Sequence, residues 1–150
     1  MGTMDYFIKI TRTPYEEPYH LQLWLEVSNG RQTASMEIYV NTDALVDAGK
    51  SLEKFPRYAT DVYLFELGSE KPEDRWAYYL RIRAFLTNGR GHCALLFRMN
   101  NNRDLPYREL AEFCIEAEAA NINRLGSLLR DFSKLEHDTL LWSSIESVLE

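Results

Sequence analysis

The chain has 150 residues, 45% of them apolar and 27% charged, with a net charge of −6. A chain of this length buries roughly 68–70% of its unfolded surface, so a single α+β domain over 1–150 is expected and disorder is not. The acidic balance argues against nucleic acid as a partner, since that needs clustered cations. The longest apolar run, 93–97, falls far short of the roughly 20 residues that span a bilayer.

Two cysteines, Cys93 and Cys114, have no CxxC spacing, and no secretory leader is expected. Free thiols and a cytoplasmic location follow as expectations. The opening Met1-Gly2-Thr3-Met4-Asp5-Tyr6 fails as a myristoylation signal because Tyr6 stands where Ser or Thr is required. Met4 is an alternative start, which would make 1–3 an appended remnant.

Alternating apolar residues predict strands along most of the chain. The first covers 5–11, and the loop 14–18 follows because its two prolines lack backbone donors. In 20–27, Leu21, Leu23, Leu25 and Val27 share one face; in 33–40, Ala34, Met36, Ile38 and Val40 do. Asn29-Gly30 between them supplies the positive φ of a tight hairpin. Helical spacing then places Leu45, Ala48, Leu52 and Phe55 on one face of 42–55, capped by Thr42 or Asp43 and ended by Pro56.

Strand 61–67 comes next, then 76–86 and 92–99, paired through the turn 88–91. The stretch 109–119 is helical by composition, but Ala111, Phe113, Ile115 and Ala117 alternate with Glu112, Cys114, Glu116 and Glu118. Pattern outranks propensity, and a strand is expected. A second helix over 121–135, with Asn121 as cap, presents Ile122, Leu125, Leu129, Phe132 and Leu135. Residues 140–149 are compatible with a third short helix through Leu141, Ile145 and Val148 or with a strand. Together these predict a largely antiparallel sheet of about seven strands with two main helices on one face.

The segment Val46-Asp47-Ala48-Gly49-Lys50-Ser51 has the Gly-Lys-Ser ending of a phosphate-binding loop. A shift of 77 residues carries 36–55 onto 113–132, matching Met36 with Phe113, Leu45 with Ile122, Gly49 with Gly126 and Phe55 with Phe132. This is a possible pseudo-repeat of strand-strand-strand-helix units, in which Ser127 replaces Lys50. Ala44 occupies the head of the loop, where a phosphate cradle needs glycine, and Asp43 and Asp47 would repel the anion. Gly49 and Gly126 are therefore expected to face the sheet at a close helix–sheet approach, with Lys50 in solvent.

Catalytic and metal signatures are not evident. His20, His92 and His137 lack ligand spacing, no GxSxG elbow occurs, and Glu112, Glu116 and Glu118 read as a solvated acidic face. No cofactor is expected. The outward side of the sheet should present Trp24, Tyr39, Tyr79, Arg81, Arg83 and Arg98 with Glu26, Glu37, Glu112 and Glu116. Trp, Tyr and Arg dominate interface energetics, which makes the first six candidate partner-binding residues. Cross-strand Arg–Glu pairing would also account for them.

The order of elements, with the segment Asn41-Thr42-Asp43-Ala44-Leu45, the long strand 75–86, the turn Gly89-Arg90-Gly91-His92-Cys93 and a closing strand-helix unit, resembles small bacterial proteins grouped around the WapI-type immunity proteins. The resemblance spans most of 20–135 and implies a cytoplasmic, non-enzymatic protein that neutralises a cognate toxin domain. Two alternatives stand beside it: a small-ligand binder or enzyme with a pocket between sheet and helices, and the structural subunit of a homo-oligomer.

Overall fold

The computed structural model describes residues 5–14 and 16–150; the alternative start at Met4 lies outside them. Strands β1 (Phe7–Thr13), β2 (His20–Ser28) and β3 (Thr33–Asn41) lead directly into α1 (Thr42–Glu53). Then come β4 (Val62–Gly68), a 3-10 turn at Pro72–Asp74, β5 (Tyr79–Leu86), β6 (His92–Asn100) and β7 (Leu110–Glu118). Helix α2 (Ala119–Phe132), β8 (Thr139–Ser143) and β9 (Ser147–Leu149) complete the order. The alternation at 109–119 did outrank helical composition.

One expectation needs correcting. The strands form two antiparallel sheets, β3-β2-β1-β8-β9 and β4-β5-β6-β7, in place of one sheet of about seven. The cause is the strand that follows each helix. After α1 the chain does not return to β1–β3; β4 pairs with β5 and opens the second sheet. After α2, β8 pairs with β1 and extends the first.

Each sheet turns its apolar face inward, so Leu21, Leu23, Leu25 and Val27 meet Leu80, Leu95, Phe97 and Ile115 in one core with both helices. Residues 140–149 are the hairpin β8–β9 and not a third helix. Leu140 and Trp142 alternate into the core, and the Ser143 hydroxyl turns the chain by accepting the N–H groups of Ile145 (3.2 Å) and Glu146 (2.8 Å).

Both helices start where their strand ends, so neither uses the expected cap. The Thr42 hydroxyl donates to the Pro18 carbonyl. Asn121 lies inside the first turn of α2, where its amide donates to the Tyr6 hydroxyl at 2.5 Å and the Ser143 carbonyl at 3.4 Å.

The repeat extends well beyond the matched helices. A shift of 77 carries the starts of β3, α1 and β4 onto those of β7, α2 and β8, while a shift of 72 carries β1 and β2 onto β5 and β6. The five-residue change arises between the second and third strands, joined by 29–32 in the first half and by 101–109 in the second.

The glycines sit on the axis that relates the halves. They do not face the sheet; they face each other. A Cβ on Gly49 would lie 2.7 Å from the Gly126 carbonyl oxygen, and one on Gly126 would lie 2.6 Å from that of Gly49. The bare backbones are what allow α1 and α2 to cross so closely. Beside the crossing, equivalent residues Glu53 and Arg130 form a 3.0 Å ion pair.

Candidate functional site

The division into two sheets also divides the predicted partner-binding face. Trp24 (46% exposed) and Tyr39 (45% exposed) stand on the outer side of the first sheet, on β2 and β3. Tyr79, Arg81, Arg83 and Arg98 belong to the second, on β5 and β6. These six residues therefore do not form one surface. Tyr79, moreover, is not presented: it is 7% exposed, its hydroxyl donates to Glu66 at 2.5 Å, and burial followed by that carboxylate raises its pKa.

The arginines of the second sheet are largely satisfied within it. Register places Glu66, Arg81, Arg98 and Glu112 in one row across β4, β5, β6 and β7. Glu112 accepts from Arg81 (3.2 Å) and Arg98 (3.3 Å), relieving the repulsion of two opposed cations. Arg98 also donates to Glu70 at 3.0 Å. Burial would raise the Glu70 pKa, but hydrogen bonds from Arg98 and Asn100 outweigh it and hold the carboxyl below its ordinary value. Only Arg83 of these three arginines has no carboxylate partner among the described residues; it covers the Phe85 ring at 5.1 Å.

The interior offers little room for a ligand. Where sheets and helices meet, the core holds a void of about 70 Å³ lined by residues such as Leu23, Ile38, Leu80, Phe97 and Leu125, against the roughly 300–1,000 Å³ of small-molecule sites. Gly49-Lys50-Ser51 lies in the last turn of α1, the negative end of the helix dipole, whereas phosphate loops use the positive end. Lys50 is exposed, as expected, at a hollow of about 240 Å³ that also holds Arg57 and Asp61. Among the described residues no group of three or more His, Cys, Asp or Glu is arranged to hold a metal ion. None of their helices is long and apolar enough to cross a membrane.

A large concavity lies between the sheets. An open groove of about 1080 Å³ runs along the edge of β3, with Trp24, Ser35 and Glu37 on one wall and Asn101, Arg103, Arg108 and Leu110 on the other. It continues into a hollow of about 450 Å³ beside the 3-10 turn, where Lys71, Arg75 and Trp76 join Arg103 and Arg108. Exposed apolar side chains line the two, Trp24 and Leu110 in the groove and Trp76 in the hollow, and Leu105 and Tyr107 are exposed on the loop that carries Arg103.

Asn101 positions the long loop, its side-chain oxygen accepting the N–H groups of Arg103 (3.2 Å) and Glu109 (3.0 Å). Asn102 ties it to the 3-10 region by donating to the carbonyls of Ser69 (2.7 Å) and Trp76 (3.1 Å). Arg103 stacks on Tyr107 at 5.0 Å. Neither Arg103 nor Arg108 forms an ion pair among the described residues. Glu37, by contrast, is engaged: hydrogen bonds from Tyr39 and then Gln22 lower its pKa.

Of the six predicted residues, Trp24 alone lines this groove. The remainder was missed because 100–107 reads as a polar connector. Its one sequence signal is length, nine residues where the equivalent connection has four. Compared with known protein families, with characterised proteins and with solved structures, the chain matches none of them.

Proposed function

We propose that this chain is a non-enzymatic protein-binding module, in its sharpest form an immunity-type inhibitor that occupies a cognate bacterial toxin domain. One observation carries the reading: the groove along β3 and its adjoining hollow are lined by Trp24, Trp76 and Leu110, and hold Arg103, stacked on Tyr107, and Arg108 without carboxylate partners among the described residues. Trp, Tyr and Arg are the side chains that anchor protein interfaces, and exposed apolar residues gathered at one concavity mark a binding surface. A small void in the core and an open groove at the surface favour a large partner over an enclosed small molecule. The likeness of element order to WapI-type immunity proteins and the net charge of −6 supply the sharper form.

The test is co-purification with the toxin domain encoded beside this chain, followed by calorimetry and a toxicity assay. A stoichiometric complex and rescue of growth are expected. A neighbourhood that encodes no toxin, together with no complex from any neighbouring product, overturns the reading.

A further inference from the structure

The outward edges of β3 and β7 differ at one carbonyl, that of Glu37 against that of Cys114. Tyr39 donates its backbone N–H to the Tyr78 hydroxyl at 2.9 Å, away from β2. In an antiparallel pair such outward groups recur at every second residue, so the N–H and C=O of Ser35 and Glu37, in register with Glu26 and Trp24, also point away from β2. That direction is the groove. Among the described residues nothing pairs with these four groups.

In the second half one of the equivalent groups is capped. The equivalent of Glu37 is Cys114, and its carbonyl accepts the Asn29 amide at 3.2 Å. Asn29 stands in the short β2–β3 turn, its other atom, Oδ1, accepting the N–H groups of Arg31 and Gln32. The equivalent of Asn29 is Asn101. In the longer loop its amide donates at 2.9 Å to the Tyr107 carbonyl of that same loop, so the plug that would reach Glu37 is used locally.

Resting on the protein-binding reading, we propose that β3 is a strand-addition site: an extended segment of a partner polypeptide, carrying an acidic side chain, enters the groove and pairs with Ser35 and Glu37. Open donors and acceptors at two-residue spacing are the chemistry of a strand and of no small ligand. The guanidinium groups of Arg103 and Arg108 on the facing wall, which form no ion pair among the described residues although Arg108 Nε donates to the Arg103 carbonyl at 3.4 Å, select a carboxylate, and Trp24 gives an apolar platform at the lip. The Tyr78 hydroxyl at Tyr39 ends the site.

The probe is a displayed library of random dodecapeptides panned on the immobilised chain, with enriched peptides then synthesised. Sequences with alternating apolar residues and an Asp or Glu should be enriched, and on binding the Ser35 and Glu37 amide resonances should shift and exchange more slowly. Ser35→Pro removes an outward donor without touching the β2–β3 ladder, and should weaken binding at least about tenfold. Arg103→Glu with Arg108→Glu, on an exposed loop, should do the same and guards against misfolding of the proline variant.

No enrichment, or peptides bound equally well by both variants, overturns the proposal. So does concentration-dependent dimerisation abolished by Ser35→Pro, which would make a second copy the occupant. A toxin domain whose complex survives both variants overturns strand addition while leaving the protein-binding reading intact.

Discussion

The two halves are built from one plan and differ in what surrounds it. Each runs three antiparallel strands into a helix that crosses its counterpart at a glycine, and each sends its next strand to the other sheet. Yet β8 lies between β1 and β9, whereas β4 is an edge. The four-residue turn caps the Cys114 carbonyl on β7, and the nine-residue loop leaves the equivalent carbonyl of Glu37 on β3 open. Symmetric packing thus fixes the core, and the unequal loops shape the groove along β3.

The largest expected effect breaks the symmetry at the exchanged strands. Trp142 and Phe65 are equivalent, but Trp142 is fully buried on β8, packs on Tyr6 at 4.9 Å and donates its indole N–H to the Asn121 carbonyl at 2.8 Å. Phe65 is only partly buried on the edge strand β4. Trp142→Ala should destabilise by about 3–5 kcal/mol and Phe65→Ala by about half as much. Urea denaturation measures both, and equal losses would show that the edge strand packs as tightly as the enclosed one.

The glycine crossing comes next, and here the halves should respond alike. Alanine in a helix gains about 1 kcal/mol over glycine, but the new Cβ would meet backbone atoms at 2.6–2.7 Å in either helix. Gly126→Ala and Gly49→Ala should each cost a net 1–3 kcal/mol, roughly, because backbone cannot rotate aside as a side chain can. Stabilisation by either variant would mean that the helices can separate freely.

How much of this was legible follows from what sequence encodes. Alternation marked seven of the nine strands, including 109–119 against its helical composition, since burial on one face sets register. The match of Gly49 with Gly126 showed two positions where a Cβ is excluded, but not what excludes it. Nothing in the local pattern of 61–67 says that the strand leaves its own half, so one sheet was expected where two exist. Residues 140–149 carry leucines compatible with either period; the serine turn at Ser143 decides for a hairpin. The groove was invisible because its walls meet only after the halves pack together.

The turn that caps Cys114 on β7 gives a smaller effect. Asn29→Asp keeps the oxygen that holds Arg31 and Gln32 but replaces the donor to Cys114 by an acceptor. A loss of about 1 kcal/mol is expected from the unsatisfied carbonyl and the apposed oxygens. Asn101→Asp, equivalent by position, should weaken the loop and leave β7 unaffected. Amide exchange along β7 and through 101–109 separates the two outcomes.

The smallest effect depends on pH and again opposes equivalent residues, Asp61 before β4 and Asp138 before β8. The Asp61 side chain is 3% exposed and accepts from the Arg57 backbone N–H (2.9 Å) and from its guanidinium (3.0 and 2.9 Å). These bonds, the side-chain ones first, lower its pKa to about 2. The Asp138 side chain is 81% exposed and meets Arg12 at 3.3 Å, a surface contact of little energetic weight. Because the folded pKa of Asp61 lies below the unfolded one, the unfolded chain takes up the proton first as pH falls. The stabilisation is therefore complete above about pH 5 and is lost toward pH 2. Asp61→Asn should be less stable than the parent chain at neutral pH, with the gap narrowing through that acid window, while Asp138→Asn, which removes only a surface contact, should cost little at neutral pH. Denaturation midpoints measured from pH 7 to pH 2 decide it; a gap for Asp61→Asn that stays constant down to pH 2 would place its cost in packing and not in the charge that Arg57 holds.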